Sequence, residues 1–68
     1  MTKANFLIQL FDSEQKRIDG DYSEELTAET GPAARKMAEN EAERGYWVEI
    51  FIINDANEYE LQGSFDPE

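Results

Sequence analysis

The stretch "YWVEIFIIN", residues 46–54, restricts the possible folds more than any other part of this chain. Successive side chains of an extended segment point to opposite faces. Tyr46, Val48, Ile50 and Ile52 therefore share one face, and Trp47, Glu49, Phe51 and Ile53 share the other. β-branched and aromatic residues dominate both sets, as in a strand inside a sheet. Both faces need cover, and a chain of 68 residues makes a single domain, 1–68, with little material to supply it.

The rest of the pattern supplies partners for that strand. "NDAN" (54–57) is a turn cluster, and "EYELQGSF" (58–65) reads as a returning strand with Tyr59, Leu61, Gly63 and Phe65 on one side. A hairpin of 46–53 with 58–65 follows. Near the N-terminus "ANFLIQLF" (4–11) alternates imperfectly, with Ala4, Phe6, Ile8 and Leu10 opposite Asn5, Leu7, Gln9 and Phe11. "YSEELTA" (22–28) is a weaker strand whose charge suits a sheet edge. Between these two, "DSEQKRIDGD" is polar with a turn signal at Asp19-Gly20, and reads as a hairpin connection.

One helix is expected at 31–44. Thr30 is an N-cap candidate, Pro32 suits the first turn, and Gly45 suits the position just past the end. Ala34, Met37, Ala38 and Ala42 form its apolar stripe. The order is β-β-α-β-β, an α+β two-layer domain with one helix packed on a four-stranded, largely antiparallel sheet.

One helix covers one face. If Phe6, Ile8, Leu10, Val48, Ile50, Ile52 and Leu61 meet it, then Leu7, Phe11, Trp47, Phe51 and Ile53 point the other way. Fully exposed, those five would form a larger apolar patch than a small monomer usually shows. Either loops fold over part of it, or it is a contact face for a partner or a second copy. Trp47 and Phe51 would be its anchors.

Composition narrows the chemistry. There is no cysteine and no histidine, which removes disulfides, thiolate metal sites and the commonest general base. No phosphate loop or dinucleotide fingerprint is present. The apolar run in "MTKANFLIQLF" is too short for a secretory core or a membrane span, so a soluble protein is expected, and the absence of cysteine fits a reducing cytoplasm. Asp19, Asp21 and Ser23 have the opening spacing of a calcium loop, but Glu24 replaces the glycine of its sixth position and Thr30 the glutamate of its twelfth. We expect no enzyme activity, no metal and no cofactor.

Sixteen acids against six bases give a net charge of −10. Such a chain repels nucleic acid and anionic membranes and is drawn to basic surfaces. Asp19, Asp21, Glu24, Glu25 and Glu29 have no base among them, and neither do Glu49, Asp55, Glu58 and Glu60. On a strand Glu58 and Glu60 would project from one side about 7 Å apart, with Glu49 as a possible cross-strand neighbour. A row of that kind imitates phosphates in sign and spacing. The alternative is a solvated acidic face that keeps the protein dispersed.

Small size, strong acidity, absence of Cys and His, and the order of "EELTAETGPAARKMAENEAERGYWVEIFIINDANEYEL" (24–61) resemble small phage-encoded inhibitors of host defence, the anti-CRISPR proteins. Anti-restriction DNA mimics share these features. The resemblance is one of layout and charge. It implies a non-enzymatic inhibitor whose acidic surface blocks a nucleic-acid-binding complex, such as a CRISPR surveillance complex or a restriction enzyme, in the cytoplasm of an infected bacterium. The expected partner-binding acids are Asp19, Asp21, Glu24, Glu25, Glu49, Glu58 and Glu60. The alternative is a homodimeric structural or regulatory module that pairs through the Trp47/Phe51 face, with Leu7, Phe11 and Ile53 as its other apolar contacts.

Overall fold

A computed structural model describes residues 5–67. The apolar strand of 46–54 becomes β3, Trp47–Ile53, and lies inside a four-stranded sheet. Its neighbour on one side is β1, Phe6–Phe11, and on the other β4, Tyr59–Phe65. The fourth strand, β2, is Glu24–Ala28 and forms the far edge, giving the order β2-β1-β3-β4 with every neighbouring pair antiparallel. The two most apolar strands are central and the two more polar ones are edges; β2 carries Glu24 and Glu25, and charge at an edge discourages further pairing. The expected start of the first strand, Ala4, lies outside the described residues.

The β3–β4 turn is built by asparagines. The Asn54 side-chain oxygen accepts from the backbone N–H of Ala56 at 3.0 Å and of Glu58 at 2.9 Å. Asn57 takes a left-handed φ of 63°, which asparagine tolerates better than most residues.

Helix α2, Gly31–Glu43, lies on one sheet face. Thr30 caps it, its hydroxyl accepting from the N–H of Ala33 at 3.3 Å, and Gly45 leaves it with φ 100°. Ala34, Ala38 and Ala42, one turn apart, are buried against Ile8, Leu10, Ala28, Val48 and Ile50. Their small size lets the helix axis approach the sheet closely. Met37, expected in that stripe, sits at its flank and is exposed.

Two local features depart from the sequence reading. The segment read as a hairpin connection contains a second helix, α1, Glu14–Asp19. The Ser13 hydroxyl accepts from the N–H of Lys16 at 3.2 Å, and Gly20 closes the helix at φ 75°, its N–H donating to the Arg17 carbonyl. Asp19-Gly20 is thus a helix end, while the segment still joins two neighbouring antiparallel strands, as expected of a hairpin connection. No residue of α1 is buried, so it carries none of the apolar periodicity that signals a helix.

The second departure is a bulge in β4. Ile50 pairs with Gly63, but Phe51 pairs with Leu61, so Gln62 is an extra residue on that strand. Because side chains alternate with period two, one extra residue moves everything beyond it to the other face. Gly63 and Phe65 stay on the α2 side. Leu61 and Tyr59, paired with Phe51 and Ile53, turn to the opposite face, against the expectation that Leu61 meets the helix.

Among the described residues, no helix is long and apolar enough to cross a membrane.

Candidate functional site

Directly opposed residues of neighbouring strands share a face. The register therefore assembles the face away from α2 from Leu7, Gln9 and Phe11 of β1, Trp47, Glu49, Phe51 and Ile53 of β3, Tyr59, Leu61 and Ser64 of β4, and Glu25 and Thr27 of β2. It divides into a covered half and an open half.

At the covered half, α1 packs on β1 and β3. The Arg17 guanidinium lies over the Trp47 ring, 5.4 Å from its centre, and reaches the Glu49 carboxylate at 3.9 Å. Phe11 is 0 % exposed and is the largest fully buried side chain, yet it stands apart from the cluster beneath α2. It cannot be a partner contact in the folded chain, and Leu7, also buried, cannot present its side chain freely. Of the two expectations for this face, cover by the chain itself holds for part of it: Phe11 and Leu7 are buried and Arg17 of α1 lies over Trp47, so Phe11 and Leu7 are corrected as partner contacts. The remaining two, Phe51 and Ile53, are half-buried.

The open half carries residues the sequence reading did not single out for it. Tyr59 is 59 % exposed and Leu61 57 %. Tyr22, ahead of β2, is also exposed. Tyr22 and Tyr59 line a hollow of ≈ 300 Å³ together with Leu7, Gln9, Glu25 and Phe51. Gln9 donates to the Glu25 carboxylate at 3.3 Å and fixes its direction. A larger depression on the α2 side, ≈ 680 Å³, lies between the start of the helix and β4 and is lined by Phe6, Pro32, Arg35, Ile50, Gln62 and Phe65, among others.

The acids form no continuous row. Glu49 pairs across the sheet with Gln9 and Ser64, not with Glu58 or Glu60, and its carboxylate is engaged by Arg17. Glu60 pairs with Ile52, which puts it on the α2 side, the opposite face from Glu49. Glu58 precedes β4 in the turn. The proposed Glu49–Glu58–Glu60 line is therefore corrected to two separate edges. Glu58 and Glu60 belong to the β4 edge. Glu24 and Glu25 belong to the β2 edge, about 14 Å away at three strand spacings. Asp19 and Asp21 lie just ahead of the β2 edge. Asp19 accepts from the Gln15 amide at 3.1 Å, and the Ser23 hydroxyl donates to the Leu10 carbonyl at 3.2 Å, so two of the three residues of calcium-loop spacing are engaged locally. Among the described residues, no three acidic side chains gather into a group able to hold a metal ion.

Three ion pairs occur among the described residues: Lys16–Asp12, Arg17–Glu49 and Arg44–Glu41. Asp19, Asp21, Glu24, Glu25, Glu58 and Glu60 are all exposed and belong to none of them. No protein-family model, no curated protein and no solved structure matches this chain.

Proposed function

We propose that this protein is a non-enzymatic binding protein whose acidic exterior occupies a basic, nucleic-acid-binding surface on another protein. A host defence complex of the kind blocked by anti-CRISPR proteins or anti-restriction DNA mimics is the partner class this reading favours. The observation that carries it is the uncompensated charge: a net −10, with Glu24 and Glu25 on one sheet edge and Glu58 and Glu60 at the other, all exposed and in none of the ion pairs among the described residues. Charge so arranged steers association with a positive groove and weakens with salt. The test is capture of a basic DNA-binding complex from bacterial lysate, with duplex DNA as competitor. Glu58→Lys with Glu60→Lys, and separately Glu24→Lys with Glu25→Lys, should reduce capture. Unchanged capture by both double variants removes the reading.

A second reading has its own support. Tyr59 and Leu61 are more than half exposed beside half-buried Phe51 and Ile53, an apolar surface of the type that pairs with a second copy. Trp47, already under Arg17, is a lesser contributor to that surface than these four. Sedimentation of the wild type against Leu61→Lys tests it, and a monomer at all concentrations would exclude it.

A further inference from the structure

The hollow on the open half of the second face combines two kinds of group. Tyr22, Phe51 and Tyr59 contribute aromatic walls, and Glu25 contributes a carboxylate held by Gln9 at 3.3 Å. Leu7 closes the floor. Aromatic faces attract cations through their quadrupole, and a carboxylate beside them completes the recognition of a basic side chain with an apolar stem. Among the described residues, no basic side chain lines this hollow.

The same face holds an arginine in this manner a short distance away. Arg17 lies over Trp47 at 5.4 Å and pairs with Glu49 at 3.9 Å. One aromatic ring and one glutamate of the sheet suffice there. The hollow offers three rings and one glutamate, with room for a whole side chain.

We propose that the hollow between Tyr22 and Tyr59 is a receptor for a single arginine side chain of the basic partner, the guanidinium stacking on the tyrosines and donating to Glu25. Arginine is favoured over lysine because its planar head stacks on rings and pairs with a carboxylate through two donors, while an ammonium is a compact, strongly hydrated charge. The inference rests on the reading of the protein as a binder of basic surfaces, and deepens it by giving that partner an anchor point. The acidic edges attract the partner from a distance, and the hollow selects one residue on contact.

The experiment is an NMR titration of the protein with two capped pentapeptides, Gly-Gly-Arg-Gly-Gly and Gly-Gly-Lys-Gly-Gly. The expected result is saturable shifts of the Tyr22, Phe51 and Tyr59 ring signals, tighter for the arginine peptide. Tyr22→Ala and Glu25→Gln should each weaken binding about threefold to tenfold, and Glu60→Gln should leave it unchanged. Both Tyr22 and Glu25 are exposed, so these variants keep the core, and Trp47 emission reports that they are folded. Absence of saturation, or equal binding by Tyr22→Ala, overturns the proposal. A parallel capture of the basic DNA-binding complex separates the two ideas. If Tyr22→Ala captures it normally and Glu58→Lys/Glu60→Lys does not, the hollow is excluded and the acidic reading stands. If the arginine peptide saturates the hollow but no protein is captured, the hollow stands and the acidic reading fails.

Discussion

The two faces of the sheet are covered by very different means. On one, α2 runs 13 residues and buries Ala34, Ala38 and Ala42 against the aliphatic row of β1 and β3. On the other, α1 runs 6 residues, buries none of them, and is held where Arg17 meets Trp47 and Glu49. Ile18, the helix's single large apolar residue, points away at 66 % exposure. One face is therefore made for stability. The other is partly covered at one end and open at the other.

The largest effect should come from the one place where the second face behaves like a core. Phe11→Ala removes a fully buried ring and should cost about 3–5 kcal/mol, enough to unfold much of a domain this small. Urea denaturation followed at Trp47, the sole tryptophan, measures it. A loss similar to that of a surface substitution would mean that α1 and Phe11 contribute little, and would deepen the contrast between the faces.

Next in size is the cap of α2. Thr30→Ala removes the acceptor for the Ala33 N–H and should cost about 1 kcal/mol. The matching change at the short helix, Ser13→Ala, should cost less. The helix it caps has no buried residue, so its loss frees few contacts. Comparing the two midpoints weighs α2 against α1 directly.

Arg17→Ala should lower stability by about 0.5–1 kcal/mol, the range for a partly exposed cation over a ring. Its clearer signature is optical. Trp47 should shift its emission to the red and become more accessible to acrylamide, while the α2 side stays protected in hydrogen exchange. The smallest effect concerns charge. Raising salt from about 0.01 M to about 0.5 M should raise the melting temperature slightly, because screening relieves the self-repulsion of a chain at −10. The same change should weaken capture of a basic partner. Opposite signs for folding and for binding would mark the acids as functional at a cost to stability.

How much of this was legible in the sequence depends on the strength of each local signal. Strands β1 and β3, the β3–β4 hairpin and α2 were readable because alternation, the Asn54–Asn57 cluster and the Thr30, Pro32 and Gly45 punctuation all agree. α1 was not, since a six-residue helix without an apolar stripe shows no period. Only Ser13 before Glu14 and Gly20 at the end hinted at it. The bulge was illegible for a different reason. Gln62 looks like any other strand residue, and only the pairing of Phe51 with Leu61 reveals it. That single residue decided the candidate site, because it turned Tyr59 and Leu61 onto the second face and left Glu60 on the other. Tyr22 was read as a strand residue, and only the folded path from Gly20 to Glu24 brings it beside the rings of β3 and β4.

The most direct measurement is DNA competition for the captured partner. A basic DNA-binding complex is bound to the immobilised protein, and duplex DNA is titrated in, for the wild type and for Glu58→Lys/Glu60→Lys. The account predicts that DNA displaces the wild-type protein and that the variant binds weakly from the start. Equal retention of both proteins, unaffected by DNA, would contradict it and leave the acidic edges with a solubilising role alone.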